Sequence, residues 1–171
     1  LGFESANEGN STYEVFISDR PMSECIRSTG IDNLDAVTSN INLVAAELEL
    51  VDLPSRESIL ARKLHEFVRS SGYYDFIFID CPPSLGLITV NALTAADSLL
   101  IPVQCEYYAL EGLSQLLNTI KNVKNTFNSS LNIEGYLLTM FDSRLKLSIR
   151  TQEVLPRKGL CNQDLQKCQD R

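Results

Sequence analysis

Asp80 is the residue of this 171-residue chain best placed by its neighbours to do chemistry. Four apolar residues, Phe76 to Ile79, run directly into it, and Cys81-Pro82-Pro83-Ser84 follow. An apolar run bounded by turn formers predicts a strand buried on both faces, as in a parallel sheet. Asp80 then stands at the strand's carboxyl end, the edge at which open α/β sheets bind ligands. Pro82 and Pro83 lack backbone donors and resist helix, so the chain leaves the sheet there as a stiff loop. A carboxylate held this way can order the water shell of a Mg²⁺ ion beside a nucleotide's phosphates. The plainer alternative is an acid that ends a strand and caps the next helix.

Other chemistry-bearing residues are sparse. His65 is the only histidine, and it lies in a charge-rich helical pattern that reads as surface. The five cysteines (Cys25, Cys81, Cys105, Cys161 and Cys168) show no CxxC pairing. That argues against a disulfide framework or a zinc site and for reduced thiols. Cys81 and Cys105 read as small apolar residues near strand ends. No apolar run reaches membrane-spanning length and no signal peptide is visible, so the expectation is a cytoplasmic protein without a membrane role. A hydrophobic content of 44% suffices for a real core. The net charge of −7 does not suggest a nucleic-acid partner, but it is unevenly spread. Residues 144–171 hold seven Lys/Arg against three Asp/Glu, leaving eight against nineteen in the first 143.

The elements that must position Asp80 follow from the periodicities. Ser11, with Glu14 three residues on, predicts a capping box that opens a short helix bearing Tyr13, Val15, Phe16 and Ile17 on its apolar face. A second short helix follows Pro21, with Met22, Cys25 and Ile26 inward. Leu34 to Val37 reads as a strand and Leu43 to Leu50 as a helix. Residues 55–70 form an amphipathic helix with Ile59, Leu60, Leu64, Phe67 and Val68 on the core face, ended by Gly72. Ser84 is the expected cap of a helix carrying Leu87, Ile88, Val90, Leu93 and Ala96. Ser98 to Val103 is then a second buried strand, Tyr107 to Phe127 a long helix, and Asn132 to Thr139 a third strand. Strand, helix and strand in this alternation predict parallel crossovers and a doubly wound α/β fold with a mostly parallel sheet. No linker or repeat marks a domain boundary.

The stretch Tyr74 to Leu117, YDFIFIDCPPSLGLITVNALTAADSLLIPVQCEYYALEGLSQLL, resembles the middle of the ParA/Soj-type partition ATPases. These are deviant-Walker P-loop ATPases, related to MinD, that segregate chromosomes and plasmids. The likeness continues through Gly135-Tyr136-Leu137-Leu138-Thr139-Met140-Phe141-Asp142-Ser143-Arg144. It reaches back through Asn33-Leu34-Asp35 and Ser39-Asn40-Ile41-Asn42-Leu43 to Glu49-Leu50, so residues 1–148 are expected to form a partial domain of this kind. The resemblance implies a P-loop NTPase-like sheet in which Asp80 is the Walker B acid, holding Mg²⁺ indirectly through water. It implies that Pro82, Pro83 and Ser84 form a switch sensing the γ-phosphate and the partner subunit, although a stiff turn explains them too. Gln104, Glu106 and Tyr107 would face the nucleotide or a dimer interface, and Glu106 equally fits the dipole at the start of the long helix. Met140 and Asp142 would lie near the base. Complete relatives bind ATP with Mg²⁺, form an ATP-sandwiched homodimer and coat nucleoid DNA non-specifically, a charge-driven and salt-sensitive mode. A ParB-like centromere-binding partner then stimulates hydrolysis.

Two features depart from that pattern. The family's Lys-Gly-Gly-x-Gly-Lys-Thr phosphate loop is absent, and none of the eight glycines precedes Lys-Ser or Lys-Thr. The expectation is therefore an incomplete sheet, lacking the P-loop strand and C-terminal elements, in a chain inactive on its own, with DNA-binding residues unassigned. Residues 149–171 form a divergent tail of weak periodicity, with Pro156 interrupting any helix. In a shifted reading frame, Gln166 to Asp170 permits Arg-Asn-Val-Arg-Ile, close to the family's motif near the adenine. A divergent basic tail and a DNA-binding tail are the other readings. A MinD-like membrane-site ATPase would want a C-terminal amphipathic basic helix, which this tail does not provide. A receiver-like domain phosphorylated on Asp80 would want an acidic pair after an earlier strand, where Ser39-Asn40 supplies none. The remaining alternative is a non-enzymatic α/β module that pairs with full-length relatives.

Overall fold

The computed structural model describes residues 9–71, 74–106, 109–145, 149, 155 and 160–162. The chain divides into two compact units, Leu1–Ala95 and Ala96–Arg171. Gly72, Tyr107 and residues 166–170 of the sequence reading lie outside the described residues.

In the first unit, α1 (Thr12–Ile17) opens with the predicted capping box. Ser11 Oγ accepts from Tyr13 N at 3.2 Å, and Glu14 Oε2 accepts from Ser11 N at 2.8 Å and Ser11 Oγ at 2.6 Å. Ser11 and Glu14 are buried, so these polar atoms must find partners inside the protein. Asn40 Nδ2 adds a bond to Ser11 Oγ at 3.0 Å. The second helix, α2 (Met22–Cys25), sends Met22 and Cys25 into the core behind Pro21. Strands β1 (Ile26–Ile31) and β2 (Leu34–Val37) form an antiparallel hairpin, of which only β2 has a counterpart among the predicted elements. Gly30 (φ +73°) at the bulge and Asn33 (φ +61°) at the turn supply the left-handed backbone that this tight reversal needs.

Among the described residues three further α-helices follow in the unit: α3 (Leu43–Glu49), α4 (Ile59–Ser71) and α5 (Leu87–Ala95). Val15, Phe16, Met22, Cys25, Leu50, Ile59, Leu60, Phe67 and Ala92 form its core. On α4 the predicted face holds except at Val68, which is 52% exposed. Lys63 is buried instead, because its ammonium lies 2.6 Å from Asp19 Oδ1 and donates to Asp19 O at 2.8 Å. Fully buried Asn91 ties α5 to the start of α4 through a bond from Leu60 N to its Oδ1.

The predicted strand through Phe76–Ile79 is not formed. The segment is irregular, and Phe76 and Phe78 are 78% and 91% exposed, their rings stacked with centroids 6.3 Å apart. A strand persists through ladder partners and buried faces. Among the described residues no strand pairs with this run.

The second unit is a parallel α/β layer. Strands β3 (Ser98–Gln104) and β4 (Asn132–Thr139) are joined by α6 (Ala109–Thr126), and β5 (Leu160–Asn162) adds to the far side of β4 in the order β3-β4-β5. All the pairings are parallel. Ile101 and Val103 of β3 are buried while Leu100 is 59% exposed, so β3 buries one face rather than both. Cys105, Leu131, Tyr136, Leu138 and Leu155, with Ile120 and Val123 of α6, are buried as well among the described residues. Strand β5 lies within the stretch whose sequence shows no clear periodicity. The fold class is α/β with a parallel sheet, as expected.

Candidate functional site

Parallel strands bring their carboxyl ends to one edge, and four of the proposed residues gather there in the second unit. The β3–β4 register ends with Gln104 opposite Thr139, and Cys105 N continues it by donating to Thr139 O at 3.3 Å. Gln104 and Glu106 are exposed on either side of buried Cys105. Across from them Met140 leaves β4 with φ +54°, a left-handed conformation that is uncommon and costly for a residue other than glycine. Its side chain is exposed.

Two residues on, Asp142 closes a turn onto Arg144. Its Oδ1 accepts from Arg144 N at 2.9 Å and Nε at 3.0 Å, and its Oδ2 accepts from a terminal guanidinium nitrogen at 2.7 Å. The side-chain bonds from Arg144, then its backbone N–H, hold the Asp142 carboxyl below the ordinary carboxylate range. The acid is thus a preformed, charge-paired acceptor at the sheet edge, with a guanidinium exposed beside it.

Asp80, Pro82, Pro83 and Ser84 belong to the first unit and are all exposed. Cys81 is exposed as well, whereas Cys105 is buried as expected. Behind the Pro-Pro turn the chain is fastened to α5, whose Thr89 Oγ1 donates to Ser84 O at 2.7 Å. Ser84 stands too early to cap α5; the residue before the first helical one is Gly86, whose carbonyl accepts from Val90 N at 3.1 Å. Glu47 of α3 reaches this point, its Oε1 accepting from Ile88 N at 3.4 Å. Glu47 and Gly86 escaped the sequence reading. A glycine where Ser, Thr, Asp or Asn normally precedes an apolar helical run was the available cue.

The donor set decides what metal this chain could help to hold. Among the described residues no three His, Cys, Asp or Glu side chains converge as a metal cage. Mg²⁺ needs no such cage, since it keeps several waters and takes one or two carboxylates beside phosphate oxygens. A single exposed carboxylate at Asp80 fits that demand.

A family model described as an AAA domain matches residues 1–133. The chain is 52% identical over 153 residues to the sporulation initiation inhibitor protein Soj of Bacillus subtilis, covering 90% of this chain and 59% of that protein. It is 49% identical over 153 residues to the chromosome partitioning protein ParA of Myxococcus xanthus, covering 90% of this chain and 53% of that one. It therefore spans just over half the length of these curated relatives. Among solved structures, cobyrinic acid a,c-diamide synthase from Mycobacterium smegmatis, with bound ATP analogue and magnesium, superposes with a TM-score of 0.80 at 36% identity, over 90% of this chain and 61% of that one. A plasmid partition protein from Borrelia burgdorferi shares the fold at a TM-score of 0.76 and 23% identity, over 90% of this chain and 62% of that one.

Proposed function

The chain belongs to the Soj/ParA family of chromosome-partitioning ATPases, and from that premise we propose that it supplies the magnesium, switch and base-proximal side of an ATP-driven DNA-partitioning cycle. The observation that carries the reading is the exposed Asp80-Cys81-Pro82-Pro83-Ser84 segment running into a helix that is fastened at its start. Bound there, Mg²⁺ would neutralise charge on the terminal phosphates of ATP. The Asp80 carboxylate orders the water between the protein and that charge. Pro82 and Pro83 keep the following turn stiff, so that Ser84 meets the γ-phosphate side at low entropic cost. Gln104 and Glu106 face the nucleotide or the second subunit, and Met140 and the Asp142–Arg144 turn stand near the base. The partners of the assembled protein are nucleoid DNA, a ParB-like protein and a second subunit, in the cytoplasm.

The sequence of 171 residues contains no glycine-rich loop ending in Lys-Ser or Lys-Thr. Hydrolysis in this reading requires such a loop beside the nucleotide's phosphates. The test combines the chain with the phosphate-loop segment of a Soj-type relative and measures Mg²⁺-dependent ATP hydrolysis. Turnover is expected only when both are present, and Asp80→Asn abolishes it while leaving the fold intact. Undiminished turnover in Asp80→Asn, or none in any combination, overturns the reading.

The exposure of Phe76 and Phe78 favours a second reading, a non-enzymatic module that pairs with full-length relatives. Co-purification with such a relative whose ATPase rate stays independent of Asp80 supports that alternative.

A further inference from the structure

We propose that Glu47 is a positioning residue for the Pro82–Ser84 turn, capping α5 from α3 in the space that a side chain at residue 86 would fill. The inference rests on reading that turn as a switch. Helix α5 begins with free backbone N–H groups, which a side chain at the preceding residue normally satisfies. Here that residue is Gly86, which has no acceptor to offer. Glu47 Oε1 takes the role by accepting from Ile88 N at 3.4 Å. A Cβ built on Gly86 would clash with the same oxygen, so the carboxylate occupies the room that only glycine leaves. The negative charge also meets the positive end of the α5 dipole.

The contact reaches the turn through a very short path. Ser84 O is bonded to Thr89 in the first turn of α5, and Gly86 O to Val90. Whatever fixes the start of α5 therefore fixes the direction in which Ser84 leaves Pro83. Glu47 itself lies between two fully buried residues, Ala46 of α3 and Leu50 just after the helix. One end of the contact is anchored in the core and the other holds the first residues after the switch. Release of the carboxylate would leave Ile88 N–H uncapped and free the turn from α3.

Because the atom facing Gly86 is the far end of a flexible side chain, Gly86→Ala displaces Glu47 without altering it. That makes a mutant cycle possible. Amide hydrogen exchange is measured on the full chain for wild type, Glu47→Ala, Glu47→Gln, Gly86→Ala and the double variant Glu47→Ala/Gly86→Ala. Ile88 is expected to exchange about two- to thirtyfold faster in Glu47→Ala and in Gly86→Ala, the range an N-terminal carboxylate commonly supplies. The double variant should match either single one, Glu47→Gln should fall between, and α1 amides should keep wild-type rates. Unchanged exchange at Ile88 in Glu47→Ala, or additive effects in the double variant, overturns the proposal. Adding ATP and Mg²⁺ to the chain combined with the phosphate-loop segment separates this contact from the switch reading. Altered exchange at Ser84, Leu85 and Gly86 supports the switch. An intact cycle without any nucleotide effect overturns the switch and leaves the cap in place.

Discussion

Replacing Asn91 by alanine should markedly destabilise the first unit. Asn91 is fully buried and saturated: its Oδ1 accepts from Leu60 N at 3.1 Å, and its Nδ2 donates to Arg56 O at 2.7 Å and Leu87 O at 3.0 Å. Leu87 O keeps the helix's own donor after the change. Leu60 N–H and Arg56 C=O are left without their partner at the beginning of α4. The buried Leu60 N–H costs about 1–3 kcal/mol as an orphan and the part-buried Arg56 carbonyl less, which together suggest about 2–4 kcal/mol for Asn91→Ala. For a chain of this size that is a fall of roughly 10 °C in the thermal midpoint. Urea unfolding followed by far-ultraviolet circular dichroism measures it, with Asn91→Asp as control. Aspartate restores the acceptor but turns a second oxygen on two carbonyls, so its folded pKa is raised above the unfolded value. Stability of that variant is then best below the unfolded pKa of about 3.9 and is lost as pH rises through the folded one. A loss below about 0.5 kcal/mol in Asn91→Ala would refute the reasoning, because it would mean that the start of α4 does not depend on this cap.

Three further outcomes are expected. Glu14 is pushed up most by burial, yet the bonds from Ser11 Oγ and from backbone N–H groups outweigh this and hold its carboxyl below the ordinary value. Its contribution is therefore present above the unfolded pKa and lost as pH falls through the folded one, and Glu14→Gln should flatten the acid limb of a stability–pH curve. Lys63→Met should cost less than Asp19→Ala in denaturant unfolding, since the second leaves a buried ammonium with only the more distant Glu66 carboxylate, 4.0 Å away. Phe76→Ser together with Phe78→Ser should lower dye binding to apolar surface and slow aggregation with little change in unfolding midpoint, since both rings are largely in solvent.

Local chemistry was legible in the sequence wherever it decided structure by itself. The Ser11–Glu14 capping box, the apolar stripe of α4 and the β3-α6-β4 succession can be read from residue type and spacing, and the structure has them. What depends on a distant partner was not legible. Lys63 falls on a polar position of the α4 pattern and is buried only because Asp19, 44 residues earlier, turns back to meet it. Phe76 to Ile79 have the composition of a buried strand, but composition cannot supply the neighbour that would bury them. Strand β1 holds Arg27, Ser28, Thr29 and Gly30, which alternate too weakly to announce a strand, and its pairing with β2 makes it one. At the candidate site, Asp80 and the Pro82-Pro83 loop stood out by pattern and took their roles, with Ser84, from resemblance to a family, while the parallel register ends at Gln104 and Thr139, just before Met140. The Glu47–Gly86 contact joins residues 39 apart and depends on tertiary packing that spacing does not announce.

The central claim is that Asp80 acts on nucleotide through magnesium. The most direct measurement is ATP affinity with Mg²⁺ and with chelator, by calorimetry, for wild type and Asp80→Asn, each combined with the phosphate-loop segment. The account predicts that Mg²⁺ tightens binding in wild type and that this gain is lost in Asp80→Asn, while affinity in chelator stays equal. The same Mg²⁺ gain in both proteins would contradict it.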